Sequence, residues 1–376
     1  MAAVSPGKDI DLVMASDPLP LRGYDFVELW VGNAKQAAHY YRTAFGFHPV
    51  AYAGPETGVR DRVSYVLEQD RIRFVLTSGL DPDHEVVRHQ ARHGDGIRDV
   101  AFAVPDATTA FEQAVQRGAK PHQAPTRRRD EHGEVVLATI EAYGDTVHTF
   151  VERERYDGVH LPGFAPAQAP ASQPVGLRTI DHVVGNVHPG GMEAWTSFYE
   201  RVLGLSQFRH FTEEEIATAD TSLMSKVLVD RRGEVKLPIN EPGEGPKRSQ
   251  IAEFLEAYDG AGVQHLALAT DDIIGTVRAM RERGVGFLDV PAEYYEQLPQ
   301  RVGDVDEPWD DLAELGILVD RDDEGYLLQI FTEPVQDRPT VFYEIIQREG
   351  ATGFGLGNFK ALFEAIERAQ ARRGNL

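Results

Sequence analysis

Three side chains in the second half of this 376-residue sequence have the types and placing to hold one metal ion: His182, His265 and Glu344. Each lies in a short apolar segment that reads as a strand, IDHVVGN, GVQHLALAT and TVFYEII. Two neutral imidazoles and one carboxylate on one face of an octahedral ion leave roughly three positions open, which is what O2 and a bidentate substrate require. Cysteine is absent. Disulfides, thiolate ligation, iron–sulfur clusters and a cysteine nucleophile are therefore excluded. A ligand set of His and Glu suits Fe(II), Mn(II) or Zn(II).

The elements that must position these residues come as one module written twice. GIRDVAFAVPDATTAFEQAVQRGA, from Gly96, aligns without a gap with GVQHLALATDDIIGTVRAMRERGV, from Gly262. YDFVELWVGNAKQAAHYYRTAFGF, from Tyr24, pairs in the same way with IDHVVGNVHPGGMEAWTSFYERVLGL, from Ile180. Each copy reads strand, loop, amphipathic helix. Asp106 and Asp271 stand where helix N-caps belong, and Gly46, Gly118, Gly204 and Gly284 where helices end. Further strands are expected at 63–67, 73–77, 227–229 and 236–239, with closing strands running to Glu152 and Glu344. The fold class is α+β: tandem βαβββ modules forming two open, barrel-like domains. The expected boundaries are a leader at 1–20, a metal-free domain at 21–160, a Pro/Ala-rich linker at 161–178 and a catalytic domain at 179–376.

The two copies act as a control on each other. Opposite His182 the first copy has Phe26, and opposite His265 it has Asp99; Glu152 is aligned with Glu344. A requirement of the fold would recur in both halves, whereas the histidines occur in one.

Other features carry less. A net charge of −22 without a basic cluster argues against nucleic acid. No apolar run approaches the roughly 20 residues of a membrane span, and the N-terminus does not read as a secretory signal, so a cytoplasmic location is expected. His89 and His93, four apart in HQARH, lack the adjacent Glu of a zinc-protease helix and read as a solvated helix face. GFGLGN at 353–358 lacks the context of a phosphate loop. After it, Asn358 is a candidate N-cap for a terminal helix with Phe359, Leu362, Phe363 and Ile366 on one face. That helix is expected to gate the site, hinged at the glycines.

Longer motifs carry a resemblance. IDHVVGN, LPINEP (237–242), KRSQI (247–251), GAGVQHLAL (260–268), GYLLQIFTEPVQDRPTVFYEII (325–346) and GFGLGNFKALFEAIE (353–367) resemble those of the 4-hydroxyphenylpyruvate dioxygenases, a family of the vicinal-oxygen-chelate superfamily. The resemblance implies one Fe(II) per subunit on His182, His265 and Glu344. It implies that Ser225, Asn240, Gln250, Gln264 and Gln329 orient substrate. Pro238, Phe331, Phe342, Phe354, Asn358, Phe359 and Leu362 would form the pocket, with Phe331 and Phe359 flanking the aromatic ring. Leu356 departs from the family, which usually carries Lys there. The implied reaction joins 4-hydroxyphenylpyruvate and O2 to give homogentisate and CO2 by oxidative decarboxylation, ring hydroxylation and side-chain migration. The 2-oxo acid supplies two electrons, so neither flavin nor nicotinamide is needed. A dimer or tetramer is expected. The nearest alternative is a 4-hydroxymandelate synthase, which takes the same substrate; Asn240 in PINEP and the Gly357–Asn358–Phe359 run favour the dioxygenase. A metal-dependent isomerase, an extradiol-type enzyme and a metal-free binding module are the remaining alternatives.

Overall fold

Seventeen strands in two sheets carry the described chain. The first half supplies β1 (Tyr24–Trp30), β2 (His48–Ala53), β3 (Arg62–Gln69), β4 (Ile72–Gly79), β5 (Gly96–Ala103), β6 (Pro121–Asp130), β7 (Gly133–Glu141), β8 (Val147–Tyr156) and β9 (Ala165–Pro166). The second supplies β10 (Leu177–Asn186), β11 (Ser206–Phe211), β12 (Leu223–Val229), β13 (Lys236–Pro242), β14 (Gly262–Thr270), β15 (Leu318–Arg321), β16 (Tyr326–Phe331) and β17 (Phe342–Glu349). The structure is a computed structural model and describes residues 19–211, 221–296 and 298–375. Nearly all of the expected leader lies outside these residues.

The strand orders are β6-β7-β8-β5-β1-β4-β3-β2-β9 and β11-β12-β13-β10-β14-β17-β16-β15. In each module the first strand pairs in parallel with the last, and two modules join through their first strands, antiparallel. A parallel return needs a long crossover, and the helices supply it. Their starts are chemically marked. Asn33 accepts from the amide of Gln36, Asp106 from Thr109 and Ser249 from Ala252. In the last module the cap is Asp272, which accepts from Gly275, and not Asp271. Asp271 is spent outside the helix on an ion pair with Arg178.

The fourth module departs from the others. Between its helix and its short edge strand β15 it inserts three small helices, Glu293–Glu296, Leu298–Val302 and Trp309–Leu315. The Pro/Ala-rich segment between the halves is also bound in place. Ala165–Pro166 extends the first sheet against β2, and Gln69 Oε1 accepts from the amides of Val175, Gly176 and Leu177.

One apolar core runs through both halves. Tyr41, Phe45 and Phe74 of the first close on Tyr343 of the second, with ring centroids 5.8, 5.0 and 6.0 Å apart. The buried Tyr41 and Tyr343 hydroxyls hydrogen-bond at 2.7 Å. Inside each curled sheet a cavity remains, lined by polar as well as apolar side chains.

Candidate metal centre

His182 stands on β10, His265 on β14 and Glu344 on β17, three neighbours at the centre of the second sheet. Ala267 lies opposite His182 on one side and opposite Glu344 on the other, which aligns all three on one face. All three are buried. Their ligand atoms lie within 4.8 Å of one another. Glu344 Oε2 is 3.1 Å from His182 Nε2 and 3.6 Å from His265 Nε2. Ligands at right angles on an ion with bonds of roughly 2.1 Å stand roughly 3 Å apart. The residues fit a divalent ion of that size.

Each ligand has its second polar atom tied elsewhere. His182 Nδ1 meets Asp181 Oδ1 at 2.7 Å, and His265 Nδ1 meets Gln264 Oε1 at 3.0 Å. Gln329 Nε2 donates to Glu344 Oε1 at 3.1 Å. Both imidazoles are thereby held with Nδ1 protonated and Nε2 free for the ion, as outer partners of metal ligands do. Burial opposes the charge on Glu344, but the two imidazoles bring its carboxyl down to about 2. Burial also opposes a proton on His182, yet Glu344 and Asp181 outweigh it and raise its pKa. His265 is held below its usual range by burial.

A bulge explains how consecutive residues Asp181 and His182 cooperate. Ile180 pairs with Leu268 and His182 with Ala267, so Asp181 is an extra residue in β10. Its carboxylate takes two hydrogen bonds from Arg348, at 2.8 and 2.9 Å, and one from Lys236 at 3.1 Å. The first half repeats this construction. Asp25 is the extra residue of β1, bonded by Arg153 at 2.5 and 2.7 Å, with Arg73 at 3.7 Å. The Asp–Arg clamp is thus a device of the fold, present where no metal ligands stand.

Around the three ligands is a cavity. Of the residues expected to contact substrate, Ser225, Pro238, Asn240, Gln250, Gln264, Gln329, Phe331, Phe342, Phe354, Phe359 and Leu362 line it. Phe342 stacks on His265 at 4.7 Å, and Phe354 stands edge-on to His182 at 5.1 Å. Phe211 meets Phe359 edge-on at 5.1 Å. Asn358 is set behind this wall. It occupies the N-cap position of the helix Phe359–Arg373 but makes no side-chain cap bond. Its Nδ2 donates to Gln329 Oε1 and its Oδ1 accepts from Tyr294. Val184, Phe211, Leu223, Val227, Phe363 and Ile366 also line the cavity and were not singled out as contacts. Val184 could have been found, since it lies two residues beyond His182 on the same strand.

Two sequence expectations need correction. Asp99 pairs with Val147 as His265 pairs with Phe342, so the first-half counterpart of Glu344 is Thr149, two residues on, and not Glu152. Glu152 instead accepts from the amide of Ala107. His89 and His93 are not solvated. Both are buried between the halves, His93 stacked on Tyr258 and bonded to Asp145, His89 edge-on to Trp30.

This fold and this open three-ligand site define a member of the glyoxalase superfamily. The Glyoxalase/Bleomycin resistance protein/Dioxygenase superfamily model matches residues 179–330, and the hydroxyphenylpyruvate dioxygenase N-terminal model matches 15–161. A 4-hydroxyphenylpyruvate dioxygenase of Dictyostelium discoideum is 49% identical over 367 residues, 95% of this chain and 100% of that protein. One of Yarrowia lipolytica is 46% identical, covering 94% of each. Among solved structures, a triple mutant of 4-hydroxymandelate synthase from Streptomyces coelicolor superposes with a TM-score of 0.84 at 37% identity, over 93% of this chain and 98% of that one. The chain belongs to the 4-hydroxyphenylpyruvate dioxygenase family.

Proposed function

We infer that the chain converts 4-hydroxyphenylpyruvate and O2 to homogentisate and CO2, with Fe(II) held by His182, His265 and Glu344. The observation that carries this reading is three ligand atoms within 4.8 Å, each fixed from behind, facing a cavity walled by phenylalanines. When bound, Fe(II) supplies electron transfer to O2 and open positions for the two oxygens of a 2-oxo acid.

The chain's own tasks follow from the geometry. Phe331 and Phe359 offer apolar faces for the ring, while Phe354, Leu362 and Phe363 close the cavity against water. Ser225, Asn240 and Gln250 place neutral donors and acceptors in that wall, able to hold a phenol or a carboxylate without adding charge. Gln329 has both amide atoms committed, to Glu344 and to Asn358. We assign it to holding the ligand in register. Gln264 uses its oxygen on His265, which leaves its amide N–H groups to donate to substrate.

The test is product analysis after Fe(II) loading. Homogentisate with one CO2 per O2 consumed is expected. The superposition on 4-hydroxymandelate synthase makes 4-hydroxymandelate the product of the second reading. Glu344→Ala should abolish stoichiometric iron and turnover together.

A further inference from the structure

The register that aligns the metal ligands also aligns a second interior in the first half. Phe26 takes the place of His182, Asp99 that of His265 and Thr149 that of Glu344. Thr77 pairs with Ser64 as Asn240 pairs with Ser225, and the two pairs are counterparts. All of these first-half residues line a cavity. The duplicated interior has kept its space and its polar groups instead of filling with apolar side chains, as an interior without a ligand would.

Its closure is also duplicated. Arg348, besides clamping Asp181, donates to the carbonyl of Gly353 at 2.6 Å, just ahead of Phe354. Arg153, besides clamping Asp25, donates to the carbonyl of His160 at 2.5 Å, just ahead of Leu161 and Phe164. Those residues cover the first-half cavity as Phe354 covers the other. His160 itself is 1% exposed, and among the described residues its Nδ1 has no hydrogen-bond partner.

The charge of the lining selects the ligand. Arg98 lies over the face of Trp30 at 4.8 Å and Arg128 stands half-buried. Among the described residues neither has a carboxylate within ion-pair distance, in a chain of net charge −22. Glu28 and Asp99 on the floor feel the charge of Arg98, and Glu28 that of Arg128, but form no ion pair with either. Burial raises both, Asp99 to about 7, and they are occupied with Thr77 and Thr149. Glu85 stands at the exposed rim. Unpaired guanidiniums over an aromatic and hydroxyl-lined floor fit a planar anion with an apolar body.

We propose that the interior of the first half is a second binding site, for a small aryl carboxylate, with the carboxylate on Arg98 and Arg128 and the ring among Phe26, Trp30 and Phe164. This site is separate from the metal centre and does not depend on its chemistry.

The probe is phenylacetate, titrated calorimetrically into the full chain carrying His265→Ala and, in parallel, into the unmodified chain. Saturable binding is expected in both, with a shift in Trp30 emission that Trp30→Phe removes. Arg128→Ala and Arg98→Gln should each weaken it roughly tenfold or more. No saturable binding up to about 10 mM overturns the proposal. So does binding that both arginine variants retain or that His265→Ala abolishes, since the ligand would then be in the metal cavity. The Trp30 signal in the unmodified chain decides the matter even if an arginine variant fails to fold.

Discussion

At the scale of single residues, what distinguishes the two halves is small. Both have a bulge aspartate clamped by an arginine, and only one places a histidine after it: Asp181–His182 against Asp25–Phe26. The clamp is common to both halves, and in one of them it also backs a histidine. Asp181→Asn should therefore leave a folded chain that binds Fe(II) about 10–100-fold more weakly, measured by anaerobic titration. The histidines were legible in the sequence because they break the likeness of the copies. Glu152 misled because FVE and FYE look alike. The true offset between the strands is three residues, and an odd slip turns a side chain to the opposite face. His89 and His93 were misjudged for a different reason. Their sequence neighbours are Arg88, Gln90 and Arg92, and the rings that bury them, Trp30 and Tyr258, come from distant elements.

At the scale of elements, strand periodicity and helix caps were readable, whereas the inserted helices at 293–315 were not, because nothing in the first half corresponds to them. That insertion supplies Tyr294, which with Arg301 holds Asn358 at the start of the terminal helix. Asn358 then holds Gln329, and Gln329 holds Glu344. The start of the terminal helix and Glu344 share one chain of hydrogen bonds. Phe359→Ala, which removes a wall of the cavity at the head of this helix, should raise KM for substrate about tenfold and release part of O2 consumption from product formation. Oxygen uptake measured beside product yield checks this.

At the scale of the whole molecule, the halves are joined by a buried core with a polar link. Tyr343→Phe strands the hydroxyl of Tyr41 in that core, and should cost roughly 1–3 kcal/mol in denaturant unfolding. The first half also carries a pH signature. Asp99 is raised by burial to about 7 from 3.8. Below about pH 4 it is protonated folded and unfolded alike, so it leaves stability unchanged. Between the two values only the unfolded chain sheds the proton, so stability falls as pH rises, and above 7 the full loss remains. Asp99→Asn, which cannot ionise, should melt about 3 °C or more above the parent at pH 8, with little difference at pH 4.

The glycine at 355 shows how closely the approach to the terminal helix and the three-ligand cluster are joined. It has a φ of +73°, and a Cβ built there would collide with Oε1 of Gln329. A single methyl group at that point would act as a doorstop. It would push on the amide that bonds Glu344, so a change ahead of the terminal helix would be felt at the ligand cluster. Substitutions at this spot should therefore surface as metal-loss phenotypes, well away from any ligand.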